Sequence, residues 1–160
     1  NNITIRTIES DEAMLLTEFL YEAIYQPAGS QKVPRTVLQQ PMIWAYVKDF
    51  GKLPDDICLV AVVDGLIVGA TWSRLGCSYG KVDDSTPELA ISVYPEYRGK
   101  GIGTRLLSSL LDAIHKIGYG TVSLSVDKSN YAVGMYLKAG FEILEEREHD
   151  YIMVKRWNNE

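Results

Sequence analysis

Eight consecutive residues, Tyr97-Arg98-Gly99-Lys100-Gly101-Ile102-Gly103-Thr104, constrain this chain more than any other segment. They follow a β-type run, Glu88–Val93, and precede an apolar stripe at helical spacing made by Ile102, Leu106, Leu107, Leu110, Leu111, Ile114 and Ile117. Glycines at such a junction let the backbone approach a ligand closely, and the first N–H groups of a helix have no partner inside it. Three glycines interleaved with Arg98, Lys100 and Ile102 exceed what a tight turn needs, so the segment reads as an anion cradle. Spacing excludes two well-known cradles. A Walker A loop needs glycine five positions before Gly99, where Tyr94 stands. A dinucleotide fingerprint needs glycine where Thr104 or Leu106 stands.

Around this junction the patterning predicts alternating strands and helices. Residues 2–8 alternate loosely and predict a first strand. Ser10 is placed to cap a helix with Asp11 and Glu12 in its first turn, running to about Tyr25 and closed by Pro27-Ala28-Gly29. Pro34 opens a second helical stretch, kinked at Pro41 and ending at Asp49-Phe50-Gly51. That trio matches a kinase motif in letters only, since no lysine strand or catalytic loop accompanies it. Ile57–Val63, Asp64-Gly65 and residues 66–75 predict an antiparallel hairpin, because Asp-Gly accepts positive φ at both turn positions. Residues 121–126 predict a strand, 130–138 a short helix stopped by Gly140, and 141–157 two final strands. This order predicts one mixed α/β domain over residues 1–160, without repeat or linker.

Composition narrows the partners. Against 21 Asp and Glu stand 16 Lys and Arg, a net charge of -5, which argues against nucleic acid and anionic membranes and weakly favours a cationic substrate. The longest apolar runs, 57–63 and 66–71, are strand-sized, far below the ~20 residues of a membrane span, and no signal segment opens the chain. With 46% apolar residues a sizeable core is available without disulfides or metals. Cys58 and Cys77 are expected to be small core residues, and a reducing, cytoplasmic setting is the expectation. No metal site is expected.

After its strand, Arg98 with Gly101 and Gly103 resembles the pyrophosphate-binding motif of the GNAT superfamily of N-acetyltransferases: Arg or Gln, two residues, Gly, one residue, Gly or Ala. Asn130-Tyr131-Ala132-Val133-Gly134-Met135-Tyr136-Leu137-Lys138-Ala139-Gly140-Phe141 is similar to that family's second segment, with its Asn, Ala, Tyr and Gly-Phe signature. The two stand in the family's order, separated by a helix and a strand. The specific resemblance lies between Glu88 and Phe141, whereas the first eighty or so residues match only in outline.

The resemblance implies a mostly antiparallel central sheet of about seven strands with about four helices, and acetyl-coenzyme A as cosubstrate. Backbone N–H groups of Arg98, Gly99, Lys100, Gly101, Ile102, Gly103 and Thr104 would hold its pyrophosphate. Ile91, Ser92 and Val93 would pair with the pantetheine arm where this strand splays from residues 121–126; without the glycine run they would read as an ordinary central strand. Tyr136 would protonate the leaving sulfur, or else be a core aromatic on a short helix. Asn130 would bond the pantetheine or cap that helix. Glu88 would remove the amine proton, or else end its strand in solvent, because alternation puts it on one face with Ala90 and Ser92 and a one-residue bulge would reverse it. His115 and His149 are expected at the surface. Acceptor selectivity is expected from residues 25–35, the second helical region and residues 76–86, with Asp83 and Asp84 attracting an ammonium and Tyr21, Tyr25, Trp44 and Trp72 as walls. The expected activity is acetyl transfer to a primary amine of a small molecule or peptide. The alternative is a silent acyl-coenzyme-A sensor, and a homodimer is left open.

Overall fold

The computed structural model describes residues 2–27 and 29–157; the expected helix stop at Pro27-Ala28-Gly29 lies partly outside the described residues, at Ala28. Seven strands form one sheet in the order β1-β2-β3-β4-β5-β7-β6. They are β1 (Ile3–Thr7), β2 (Ile57–Val63), β3 (Leu66–Arg74), β4 (Glu88–Val93), β5 (Thr121–Asp127), β6 (Glu142–Glu146) and β7 (Asp150–Arg156). Every neighbouring pair is antiparallel except β4 and β5. Asp64 and Gly65 join β2 to β3 with φ of 51° and 80°, as the hairpin reading requires. Four helices accompany the sheet: α1 (Leu16–Ala23), α2 (Pro41–Trp44), α3 (Ile102–Lys116) and α4 (Ala132–Lys138). No helix among the described residues is long and apolar enough to cross a membrane.

The N-terminal helices differ in detail from the sequence expectation. Ser10 does not cap: a 3-10 turn, Ser10–Leu15, begins one residue after Glu9, whose backbone N–H donates to Glu12 Oε1 at 2.9 Å. Arg6 grips the same carboxylate at 2.8 and 2.9 Å, so Glu12 has two reasons to sit at that end. Pro41 likewise starts α2 instead of kinking a longer helix, since its missing N–H costs nothing in a first turn.

Two apolar layers position everything else. On one face of the sheet, Cys58, Val60, Ala70 and Trp72 pack against Leu16, Phe19 and Leu20 of α1 and against Leu38, Tyr46 and Val47. On the other face the α3 stripe settles, with Ile102 and Leu106 on Ala61, Val68 and Val93, and Leu107, Leu110 and Ile114 on Leu89, Val122, Leu124 and Met153. Burying each such side chain stabilises by about 1.5–3 kcal/mol. Gly69 makes the close approach feasible: a Cβ there would lie 3.1 Å from Val93 Cγ2 and 3.2 Å from Leu106 Cδ1. These contacts hold the first turn of α3 at the end of β4.

Candidate active site

The parallel pairing of β4 and β5 is a single bridge, Glu88 to Ser123, with the Ser123 N–H donating to Pro87 O at 3.0 Å. Beyond it the strands part. The Tyr94 N–H donates to Val68 O at 2.9 Å, and antiparallel ladders alternate, so Ala90 and Ser92 turn their main-chain groups to β3. Ile91 and Val93 therefore turn theirs into the gap. A cleft of ≈ 680 Å³ occupies it, lined by β4, β5, the 97–104 junction, α1 and α4.

At the Val93 end lies the glycine junction. Gly99 and Gly101 have φ of 77° and 82°, a region a side chain makes costly, and nothing lies within 4 Å of a Cβ built on either. Gly101 precedes α3, whose first backward bond is Arg105 N–H to Gly101 O at 3.1 Å, so the N–H groups of Ile102, Gly103 and Thr104 are left over. Gly103 is helical, with Met135 Sδ 3.6 Å from a built Cβ. The charged side chains contribute less than the sequence implied. Arg98 Nε is engaged by Val93 O at 2.8 Å, with Nη2 3.6 Å from Glu22, and Lys100 Nζ lies 5.7 Å from the Tyr97 ring centre and does not line the cleft. A chain of main-chain donors above an open gap fits a pyrophosphate with an amide-bearing arm, the ligand shape of coenzyme A.

At the other end stands Glu88. No bulge interrupts β4, so it shares a face with Ala90 and Ser92 and is only 2% exposed, not solvent-facing. Its Oε2 accepts the Tyr46 hydroxyl and the Gly80 N–H, the latter at 3.0 Å. Its Oε1 is buried without a partner. Burial pushes its carboxyl up to about 7, against the opposing pull of Tyr46, Gly80 and Arg147. Gly80 must be glycine for this contact, because a Cβ would lie 2.7 Å from Glu88 Oε2 and from the β5 backbone.

The clamp on Tyr46 is itself built from buried polar groups. Trp72 Nε1 donates to Tyr46 O at 3.0 Å, while Arg74 Nη1 donates to Ala45 O at 3.1 Å and Lys48 O at 2.7 Å. Arg74 also pairs with Asp56 at 2.7 Å, and Asp56 accepts the Gly51 N–H at 2.8 Å. Tyr46, Tyr79 and Gly80 fall in the second helical region and residues 76–86, which were expected to face the acceptor, but nothing in the sequence singled out these three residues. Tyr46 stands among the apolar residues Ile43, Trp44 and Val47, and Gly80 has ordinary φ, so neither pattern nor turn chemistry distinguishes them.

Tyr136 lines the cleft from α4, on the side of the sheet opposite Glu88, with its ring 5.7 Å from that of Phe141. Burial pushes its hydroxyl well above the usual phenol range, so it stays protonated. Asn130 Oδ1 accepts the Ala132 N–H at 2.9 Å and thus bonds the start of α4, while its residue also lines the cleft. The Ser92 hydroxyl is committed to Phe19 O at 2.7 Å, tying α1 to β4, which leaves only its place in the strand.

Other expectations resolve differently. Of the four proposed aromatic walls, only Tyr25 lines the cleft. Trp72 is core, Trp44 packs against that core, and the Tyr21 hydroxyl donates to Val33 O at 2.6 Å. Asp83 and Asp84 are exposed loop residues, one receiving the Ser85 N–H at 2.9 Å and the other Lys81 at 2.8 Å; Asp127 and Asp150 line the cleft in their stead. Cys58 and Cys77 are free and buried, and burial pushes the Cys58 thiol up to about 12. His115 and His149 are exposed. Among the described residues no three His, Cys, Asp or Glu side chains gather as a metal site.

Known proteins share this fold. Residues 20–141 match the family model described as acetyltransferase (GNAT) family. An L-methionine sulfoximine/L-methionine sulfone acetyltransferase of Salmonella typhimurium is 22% identical over 161 residues, 97% of this chain and 89% of that protein. PaiA N-acetyltransferase of Thermoplasma acidophilum, solved in complex with coenzyme A, superimposes with a TM-score of 0.70 at 22% identity over 98% of this chain and 100% of that one. YncA of Salmonella typhimurium, solved with its cofactor acetyl-CoA, gives 0.71 at 21% identity over 100% of this chain and 96% of that one. The structural likenesses establish the fold and the family match, covering most of the chain, establishes descent: this protein belongs to the GNAT family of N-acetyltransferases.

Proposed function

We propose that this enzyme moves the acetyl group of acetyl-coenzyme A directly onto a primary amine of a small molecule or peptide. The observation that carries the reading is the split between β4 and β5, which meets a glycine cradle at one end and a buried carboxylate at the other. Acetyl-coenzyme A, when bound, supplies the acyl thioester. The cradle from Gly99 through Lys100, Gly101, Ile102 and Gly103 to Thr104 receives the pyrophosphate through main-chain N–H groups, whereas the expected Arg98 N–H is already given to Pro95 O at 3.2 Å. Ile91 and Val93 offer main-chain groups to the amide-rich arm, as an edge strand receives an added one, with Ser92 anchoring the strand between them.

The Val93 N–H, fixed in the gap, polarises the acyl oxygen without having to reorganise. Glu88 takes the acceptor's proton, directly or through one water, because a carboxyl near 7 is matched to work at neutral pH. Tyr136 keeps its proton for the departing sulfur, and Asn130 steadies α4 beneath it. Tyr25, Ile43, Tyr46 and Tyr79 form the wall on the Glu88 side, and the register partners Asp127 and Asp150 add carboxylates that favour an ammonium-bearing acceptor.

The test is incubation with acetyl-coenzyme A and a panel of amines that includes L-methionine sulfone and L-methionine sulfoximine, the compounds named for the Salmonella relative, together with diamines and peptides. One thiol released per acetylated amine, identified by mass spectrometry, is the expected result. Tight coenzyme A binding with no acetylated member across the panel would sink the proposal in favour of a binding module.

A further inference from the structure

The two oxygens of Glu88 are not equivalent. Oε2 is filled by two donors, the Tyr46 hydroxyl and the Gly80 N–H, whereas Oε1 has none although the residue lines the cleft. The direction of the Tyr46 bond is also settled, since the phenol oxygen receives the Tyr79 N–H at 3.2 Å and its own proton is then left for Glu88. We infer that Tyr46 is a positioning residue for the base: it occupies Glu88 Oε2, so that Oε1 is the oxygen that takes the proton of the acceptor amine. This rests on the proposed role of Glu88.

Without Tyr46 the carboxyl has no side-chain partner to choose between its oxygens, and a proton shared between two orientations is a poorly aimed base. With it, the added proton has one place to sit and departs along one direction. Apart from the Gly80 N–H on Oε2, the polar groups around Glu88 are bonded elsewhere. Arg74, its register partner on β3, is held by Asp56. Ser123 of β5 donates to Gly80 O at 2.7 Å, Arg147 near β7 donates to Tyr79 O at 3.0 Å, and the Cys77 thiol bonds Arg74 O at 3.8 Å. Tyr46 cannot itself be the base, because burial, followed by the Glu88 charge, keeps its hydroxyl protonated.

The experiment is the pH profile of kcat/KM for the wild type, Tyr46→Phe and Glu88→Gln, with coenzyme A affinity measured alongside. Losing a hydrogen bond to a charged group moves a carboxyl by about one unit, so Tyr46→Phe should shift the acid limb upward by about that much and lower kcat/KM at pH 7 about fivefold. Coenzyme A affinity should stay within about twofold, since the cradle is at the other end of β4. Replacing Tyr46 with 3,5-difluorotyrosine keeps the shape and strengthens the donor, so the limb should move the other way. That replacement decides the matter if the phenylalanine variant fails to fold. A limb unmoved by either replacement, while Glu88→Gln is inactive, overturns the Tyr46 assignment. Wild-type turnover in Glu88→Gln overturns the base reading itself, a separate outcome.

Discussion

At its Val93 end β4 offers main chain, and at its Glu88 end it offers a side chain. The Val93 end meets residues within about a dozen positions of it, and its donors belong to Val93, Ile102, Gly103 and Thr104 whatever their side chains. The Glu88 end is assembled from β4, the segment after α2, the loop before β4 and β5, with Tyr46 arriving from 42 residues away. A ligand read by backbone needs only correct local conformation. A tuned carboxyl needs burial and partners, which only packing supplies. The two ends should therefore fail independently.

The largest expected effect is at the Glu88 end. Glu88→Gln should lower turnover by about 100- to 10,000-fold while coenzyme A affinity, read by calorimetry, holds. Comparable loss of affinity would join the two ends into one unit. The same variant bears on stability. Glu88 has a folded value of about 7 against an ordinary 4.5, so the folded state binds more protons between those values and the group's contribution declines as pH rises through that window. The melting temperature of the wild type should fall relative to Glu88→Gln between about pH 5 and 7. A constant difference would remove the burial account of its pKa.

Next comes the clamp behind that end. Arg74 and Asp56 are 3% and 1% exposed, and Arg74→Met leaves Asp56 buried without its partner, a loss of about 3–5 kcal/mol in denaturant unfolding. At the cradle end, Gly101→Val puts a β-branched residue at φ 82° and should weaken coenzyme A on the order of 100-fold. Turnover at saturating cofactor that falls with it would break the separation. Tyr136→Phe should lower kcat about 10- to 100-fold with unchanged cofactor affinity, and unchanged kcat would move the acid to water. Gly103→Ala should do least: its Cβ meets Met135 at an ordinary 3.6 Å, so any loss of coenzyme A affinity measures how closely the ligand approaches that turn.

The same division explains what could be read in advance. Asp64-Gly65, the α3 stripe from Ile102 to Ile114 and the positive φ of Gly99 and Gly101 act within a few residues and took the expected form, whereas Ile117, expected in the stripe, lies past the helix end and is exposed. At Ser10 and Pro41 the structure departs from the sequence pattern because those positions depend on Arg6 reaching Glu12 and on where α2 begins. Glu88 was recognised as a candidate, but its orientation turned on the absence of a bulge and its chemistry on Tyr46 and Gly80. Asp83 and Asp84 were plausible as charges and irrelevant in space, while Asp127 and Asp150 reach the cleft because β5 leaves β4 after one bridge.

By itself, the amino-acid sequence determined the order of elements and the conformation of the glycine junction, because hydrophobic period, turn residues and glycine spacing act over one or two turns of chain, whereas the mostly antiparallel sheet was only what the resemblance to the GNAT superfamily implied. Tertiary structure alone decided which oxygen of Glu88 is free, which tyrosine holds the other, how far β4 and β5 part, and which carboxylates line the cleft. Those are outcomes of desolvation and of contacts between segments that packing, and not neighbourhood in the chain, brings together.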